Sequence, residues 1–294
     1  MSIPSIASYT LPTENELPKS KVDWKAEASR SVLLIHDMQQ YFLDFYGQDS
    51  PLIQQLIKNI SKIKETCTKL GIPTVYTAQP GDQNQEDRAL LTDFWGPGLD
   101  DDIEQTKITD QLAPTEDDIV QTKWRYSAFK KSQLLEWMQE NGKDQLIICG
   151  VYANIGCIVT AVEAFMSDIQ PFIVADAMAD FSKEQHEEAL IFGAGRCARP
   201  LMMKQLIEDI SSENTITTSS IKAQVAEMLE MSPDQLNVQD DLIESGLDSI
   251  RIMMLAENWN SEGIDISFIE LIESPKLESW YQKLVSEYET IQVK

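Results

Sequence analysis

The sequence predicts an α/β protein: a doubly wound, three-layer parallel sheet over residues 1–210, followed by a small all-α four-helix domain over residues 221–294. Three observations carry this. Before residue 210, short apolar runs alternate with amphipathic helical stretches, the pattern of a sheet covered on both faces. Residues 211–220, SSENTITTSS, are small and polar, which is the composition of a linker. After it, nearly all apolar spacing is helical.

The elements follow in order. SVLLIHDM (31–38) reads as a buried strand, and PLIQQLIKNISKIKETCTKLG (51–71) as a long helix ended by Gly71. IPTVYTAQP (72–80) is a strand that Pro80 stops. DIVQTKWRYSAF (118–129) is a short strand entering a loop, with a helix behind it to about residue 141. DQLIICGVY (144–152) and QPFIVADAMAD (170–180) are two more strands, joined by a helix over 154–167, and a helix containing EQHEEALIFGAG follows. Such strands are buried on both faces and run parallel. Ligands of these sheets sit at the carboxyl ends of the strands, which puts Asp37, Gln79, Lys123 and the 150–157 turn on one rim. His36 alternates to the opposite face from Asp37 and reads as packing. His186 reads as a structural helix contact.

In the second domain, IKAQVAEMLEM (221–231) spaces Ile221, Val225, Met228 and Leu229 on one helical face. A long loop follows, then a helix from Ser249 with Ile250, Met253, Met254 and Ala256 as its apolar positions. A short helix near 267–273 and a last one from about Ser274 complete the set. The segment holds five basic and fifteen acidic residues. A small acidic bundle has little room for a pocket and reads as a docking module.

Across 294 residues the formal net charge is −24. Phosphate backbones and anionic membrane surfaces repel such a protein, and an anionic substrate requires a locally positive pocket. MSIPSIASYTLPTENELPK has no basic start followed by an apolar core, so no secretory signal is expected. The longest apolar run, about 146–162, contains Asn154 and two glycines and falls short of the roughly 20 residues of a membrane helix. Four cysteines without CxxC spacing point to reduced thiols in the cytoplasm. Two histidines and no paired cysteines give no basis for a metal site.

Residues 246–251, GLDSIR, place Ser249 where a loop becomes a helix. Serine there is either an ordinary N-cap or a modification site. Four helices in this length, a long first loop, and DDLIESGLDSI at the second helix resemble an acyl or peptidyl carrier protein. The resemblance implies that the Ser249 hydroxyl carries 4′-phosphopantetheine, with Asp248 as its partner toward the modifying transferase. A phosphodiester at a helix N-terminus meets free N–H groups and the positive end of the dipole. Met253, Phe268 and Ile272 fall near Ser249 and are either core packing or a partner-docking patch.

Over most of residues 20–210 the chain resembles the isochorismatase-like, cysteine-hydrolase family. Asp37 in LLIHDMQ and Lys123 in VQTKWRYSAF match its aspartate and lysine. Counted from Gly150, the family's nucleophile position falls on Gly156, and Cys157 is one residue late. One helical residue is about 100° of rotation, so Cys157 is expected to point into packing. The true isochorismatases of this superfamily share that replacement. The resemblance therefore implies hydrolysis of the vinyl ether of isochorismate with Asp37 as general acid, and with room at Gly156 for the ring or the water. An ordinary strand-end carboxylate is the plain alternative for Asp37.

Gln79, Arg88 and Lys123 are the expected carboxylate donors; Arg88, beside Glu86 and Asp87, is otherwise a solvated surface residue. Phe42, Trp95, Gly96, Tyr126 and Phe129 are expected to wall the substrate ring, or else to be core. Gly150, Val151, Tyr152 and the amides through 156 are expected to bind a carboxylate. The fusion resembles the bifunctional isochorismatase/aryl carrier proteins of catecholate siderophore synthesis. That implies isochorismate as substrate, and an adenylating enzyme for 2,3-dihydroxybenzoate, a phosphopantetheinyl transferase and a condensation-domain synthetase as partners. A homo-oligomer is expected, as for related hydrolases. Two rivals stand beside this reading: an amidohydrolase using Cys157, and a non-catalytic scaffold fused to a carrier.

Overall fold

The computed structural model describes residues 3–212, 218–261, 264 and 266–292. The chain divides into two compact units, Met1–Ser212 and Glu213–Lys294.

The first unit is built on six parallel strands: β1 (Ser31–His36), β2 (Thr74–Ala78), β3 (Ile119–Thr122), β4 (Gln145–Val151), β5 (Gln170–Ala179) and β6 (Arg199–Leu201). Their order across the sheet is β3-β2-β1-β4-β5-β6. β1 pairs with β2 on one side and β4 on the other, so the winding reverses beside it. This is the crevice where doubly wound sheets bind ligands. Every residue of β1 and β4 is buried, as central strands covered on both faces must be. Edge strand β3 instead alternates half-buried and exposed positions.

Side chains of β1 point alternately to the two faces and seed two cores. Leu33 and Ile35 pack with Leu52, Leu56, Ile60 and Ile63 of the helix Pro51–Lys69, and with Leu206 and Ile210 of the helix Met203–Ser212. Val32 and Leu34 pack with Leu134 and Met138 of the helix Leu134–Glu140, Ala161 and Ala164 of Ile158–Met166, and Leu190 of Lys183–Arg196. Three layers result. The short edge strand β6 was not anticipated; three residues containing a proline give no alternation to read, and Pro200 is tolerated at an edge.

The helix expected over 154–167 opens differently. Ala153–Cys157 forms a π-turn, with the Cys157 N–H donating to the Tyr152 carbonyl at 3.2 Å, and α-geometry begins at Ile158. Such widened turns occur often at functional sites. The linker expected over 211–220 is also narrowed. One helix continues to Ser212 and the next opens at Thr218, and residues 213–217 lie outside the described residues.

The second unit holds helices Thr218–Met228, Ser249–Ser261, Phe268–Ile272 and Leu277–Gln292. Its core centres on Trp259 and Trp280, whose rings meet edge to face at 5.8 Å. In Ser249–Ser261 the buried face is Ile252, Leu255, Ala256 and Trp259. Of the apolar positions read in this helix, Ala256 packs, whereas Ile250, Met253 and Met254 are 70%, 48% and 48% exposed. This helix is apolar on two faces, and spacing alone could not say which one the bundle covers.

Candidate active site

Asp37 follows the last residue of β1 and takes a left-handed backbone, with φ of 48°. Its N–H donates to the Thr77 hydroxyl at 3.1 Å, and that hydroxyl donates to Asp37 Oδ1 at 2.6 Å. Lys123, just past β3, places Nζ 3.0 Å from Asp37 Oδ2. Gln79, just past β2, places Nε2 3.5 Å from the same oxygen. Gln39 fixes Gln79 from both sides: its amide oxygen accepts from the Gln79 N–H at 2.7 Å, and its amide nitrogen donates to the Gln79 carbonyl at 2.8 Å. Residues from three neighbouring strand ends thus converge, as the rim argument predicts.

Asp37 and Lys123 are both buried. Desolvation alone would raise the Asp37 pKa, but neighbouring positive charge and the Thr77 hydrogen bond outweigh it and hold the carboxyl below its ordinary value. Burial pushes the adjacent His36 down to about 4, so the imidazole is neutral near pH 7 and Lys123 is the cation that matters there.

Asp37, Gln79, Arg88, Lys123, Tyr126, Phe42, Trp95, Tyr152 and Gly156 all line one cavity. Its aromatic wall is a stack: Tyr152 lies 4.4 Å from Phe181, which lies 5.9 Å from Trp95, and the Trp95 indole N–H donates to the Tyr126 hydroxyl at 2.8 Å. Arg88 is only 5% exposed rather than a solvated surface residue. Its Nε donates to the Gly96 carbonyl at 2.5 Å, while its Nη1 is buried with no hydrogen-bond partner among the described residues. A buried guanidinium nitrogen with no partner among the described residues, on a side chain that lines the cavity, fits an anionic ligand group.

Several expected contacts fall elsewhere. Phe129 packs in the sheet's second core and does not line the cavity. Gly96 acts through its carbonyl, which orients Arg88. Gly150 has φ of 112°, and a Cβ there would lie 2.8 Å from the His36 N, so this glycine serves the close approach of β1 and β4. Val151 is buried, and its carbonyl accepts from His36 Nδ1 at 2.8 Å. Of the 150–156 amides expected to bind a substrate carboxylate, two are already engaged: Asp180, just past β5, accepts the Asn154 N–H, and the Tyr152 carbonyl accepts the Ile155 N–H at 3.2 Å.

Of the two histidines, His36 departs from expectation and His186 is the structural contact expected. Strand alternation ends at His36, because Asp37 turns left-handed, and the imidazole consequently lines the cavity beside Asp37. It fills the space beside Gly156 that was expected to hold the ring or the water. His186 is buried in its helix, and its Nδ1 shares a hydrogen bond of 3.1 Å with the Tyr9 hydroxyl, tying down the N-terminal arm. That arm brings Ile3 to the cavity, a contribution that no strand-end argument could locate. Arg125, Phe181 and Ile155 were likewise missed; Arg125 lies two residues past the expected rim position Lys123, Ile155 lies in the 150–157 turn itself, and Phe181 follows directly on the expected strand 170–180.

Cys157 is fully buried in the second core, and burial raises its thiol well above the ordinary value. It does not line the cavity. A thiol kept protonated and away from the pocket is a poor nucleophile.

In the second unit, Ser249 opens its helix with an exposed side chain. The cap is supplied by the preceding residue: Asp248 Oδ1 accepts the Arg251 N–H at 2.9 Å. The Ser249 hydroxyl is therefore not used as the helix cap, and the site fits a phosphodiester-linked group. Near it, Met253 is exposed, whereas Phe268 and Ile272 are half-buried against the bundle core.

A parallel sheet with this acid–lysine pair at its switch point, joined to a helical unit with an exposed serine at a helix start, defines a hydrolase fused to a carrier domain. Residues 31–205 match the isochorismatase domain family, and residues 219–284 match the phosphopantetheine attachment site family. The chain is 50% identical to an isochorismatase of Bacillus subtilis over 97% of its length and 96% of that protein. It is 45% identical to enterobactin synthase component B of Escherichia coli over 98% of its length and 99% of that protein. A cysteine hydrolase from Pseudomonas syringae shares the fold of the first unit, with a TM-score of 0.60 over 66% of this chain and 98% of that one at 18% identity. The chain belongs to the isochorismatase family and carries a C-terminal phosphopantetheine-binding domain. It is an isochorismatase, and its carrier domain takes 4′-phosphopantetheine as a covalent group.

Proposed function

We propose that Asp37 is the general acid that protonates the terminal CH₂ carbon of the enolpyruvyl vinyl ether of isochorismate. The resulting oxocarbenium ion takes up water, and the hemiketal collapses to pyruvate and 2,3-dihydro-2,3-dihydroxybenzoate. No covalent enzyme intermediate is needed. The observation that carries the reading is the single cavity holding Asp37, Lys123 and the buried Arg88, with no thiol on its wall. Lys123 and Arg88 supply the local positive charge that a dianionic substrate requires in a protein of net charge −24.

An acid must hold a proton, and Lys123 opposes that in the free protein. The substrate carboxylates offset the Lys123 charge and exclude water, both of which raise the Asp37 pKa in the complex. Gln79 hydrogen-bonds the same carboxyl oxygen, and the stack of Tyr152, Phe181 and Trp95 walls the ring. Asp37→Asn, followed by pyruvate release, tests the assignment. Full activity in that variant would remove it.

Ser249 is the proposed attachment residue, its hydroxyl oxygen joined to the phosphate of 4′-phosphopantetheine transferred from coenzyme A. The arm's thiol carries an acyl group as a thioester. We assign 2,3-dihydroxybenzoate as that group, loaded by an adenylating enzyme and passed to an amine by a condensation-domain synthetase in the cytoplasm. Met253, Phe268 and Ile272 form the proposed docking patch, with Asp248 facing the modifying transferase. Similarity to enterobactin synthase component B supports this place in siderophore assembly. Among the described residues no helix is long and apolar enough to cross a membrane. Homo-oligomer formation belongs to the same reading and is supported by exposed Phe165, Met166, Ile191 and Phe192 on two packed helices.

A further inference from the structure

Gly156 is not glycine for conformational reasons. It is buried in the π-turn after β4, and its backbone lies outside the left-handed region. Space is what requires it. A Cβ at this position would stand 2.6 Å from His36 Nε2 and 2.9 Å from Nδ1, and closer still to Cε1. The clash is with a ring that cannot retreat: His36 is 1% exposed, and its Nδ1 lies 2.8 Å from the Val151 carbonyl. Both ring nitrogens face carbonyls, Nδ1 that of Val151 at 2.8 Å and Nε2 that of Tyr126 at 3.4 Å; a neutral ring has one N–H to donate, and the shorter contact assigns it to Nδ1. The same nitrogen lies 3.7 Å from Asp37 Oδ2.

We infer that His36 is a positioning and specificity-determining residue, coupled to Gly156 as a size-exchanged pair. Its imidazole occupies the volume that a side chain at the strand–helix bend would need, which closes the pocket to a nucleophile there. Its Nδ1–H holds the Val151 carbonyl and so the β4 end that presents Tyr152 to the cavity. The pair commits this pocket to chemistry through Asp37. The rate consequences rest on the proposed role of Asp37; the steric coupling does not.

A double-mutant cycle tests this in the full-length chain, read by thermal unfolding and by pyruvate release. Gly156→Ala alone is expected to lower Tm and to cut kcat/KM by roughly a hundredfold, the scale of a small misplacement in an active site. His36→Asn keeps an N–H near the place of Nδ1 but lacks the outer ring atoms. In that background Gly156→Ala is expected to cost less than about threefold, a coupling well beyond the additive limit for independent sites. His36→Asn itself is expected to lie within about tenfold of the parent, whereas His36→Leu, which fills space without donating, loses roughly a hundredfold in kcat with a smaller change in KM. Equal cost of Gly156→Ala in both backgrounds overturns the coupling. Equal activity of His36→Asn and His36→Leu overturns the positioning role. If the parent released no pyruvate, the acid assignment would fail, while the coupling would still be read in Tm.

Discussion

Lys123 Nζ stands 3.0 Å from Asp37 Oδ2, and both side chains are buried at the ends of strands separated by β2. Each makes the other tolerable: an unpaired buried charge is strongly disfavoured, whereas a paired and hydrogen-bonded one persists. Lys123→Met is expected to destabilise by about 3 to 5 kcal/mol, the usual cost of orphaning a buried partner. Lys123→Met combined with Asp37→Asn recovers part of that loss. Denaturant unfolding of the three variants measures both.

Catalysis gives a second expectation from the same pair. Asp37→Asn should lower kcat by about 10² to 10⁴, the range for a positioned general acid. In the parent, kcat falls as pH rises through the carboxyl pKa of the substrate complex, because the proton-donating form is lost. The stability term runs the other way. The folded Asp37 pKa is depressed, so its contribution is present above the unfolded value and lost as pH falls through the folded one. A pH–rate profile and a pH–Tm profile that bend in the same direction would contradict the assignment.

Arg88 lines the cavity and keeps a buried Nη1 without a hydrogen-bond partner among the described residues, and Gly98 makes room for the guanidinium, since a Cβ there would run into Nη1, Cζ and Nη2. Arg88→Met is expected to raise KM at least about tenfold with a smaller effect on kcat, since the lost contact is a charge-assisted hydrogen bond to a carboxylate. Arg88→Lys restores little, because a point charge does not reproduce the planar fork. Steady-state kinetics with isochorismate separates the two parameters.

For Cys157 the expectation is structural. Cys157→Ala leaves turnover unchanged and lowers Tm slightly, and iodoacetamide on the folded protein leaves pyruvate release intact. Loss of activity under either treatment would restore a thiol mechanism.

Ser249→Ala should abolish the mass increase on incubation with coenzyme A and a phosphopantetheinyl transferase, while pyruvate release continues at the parent rate. Asp248→Ala removes a helix cap and is expected to cost about 1 kcal/mol of carrier-domain stability. Intact-protein mass spectrometry and carrier-domain melting measure these separately.

His186 supplies a pH test remote from the pocket. Burial depresses its pKa to about 4, so its stabilising contribution is complete above the unfolded value of about 6.5 and is lost as pH falls from there toward 4. In His186→Gln the decline of Tm over that window should be shallower.

Much of this molecule is written locally. The five longer strands, the alternation that makes the sheet parallel, and the helical character of the last 70 or so residues follow from apolar period and turn residues. So do Asp37, Gln79 and Lys123 as a cluster, because strand ends in such a sheet must share one rim. The serine at a helix start was legible too, though only tertiary structure showed Asp248 making the cap and leaving the hydroxyl unused by it.

Other features depend on what lies across space. Phe129 and Phe42 are the same residue type near the same rim, yet one fills the core and the other the cavity, since orientation is settled by packing partners far apart in sequence. Alternation places His36 opposite Asp37 only while the strand continues; a left-handed residue ends that rule, and nothing in the local sequence announces it. The sequence alone determined which residues stand at the ends of the strands, because hydrophobic period and chain direction are local properties. Which side chains fill the volume between those ends was decided by the tertiary structure, because steric exclusion acts between residues as distant as 36 and 156.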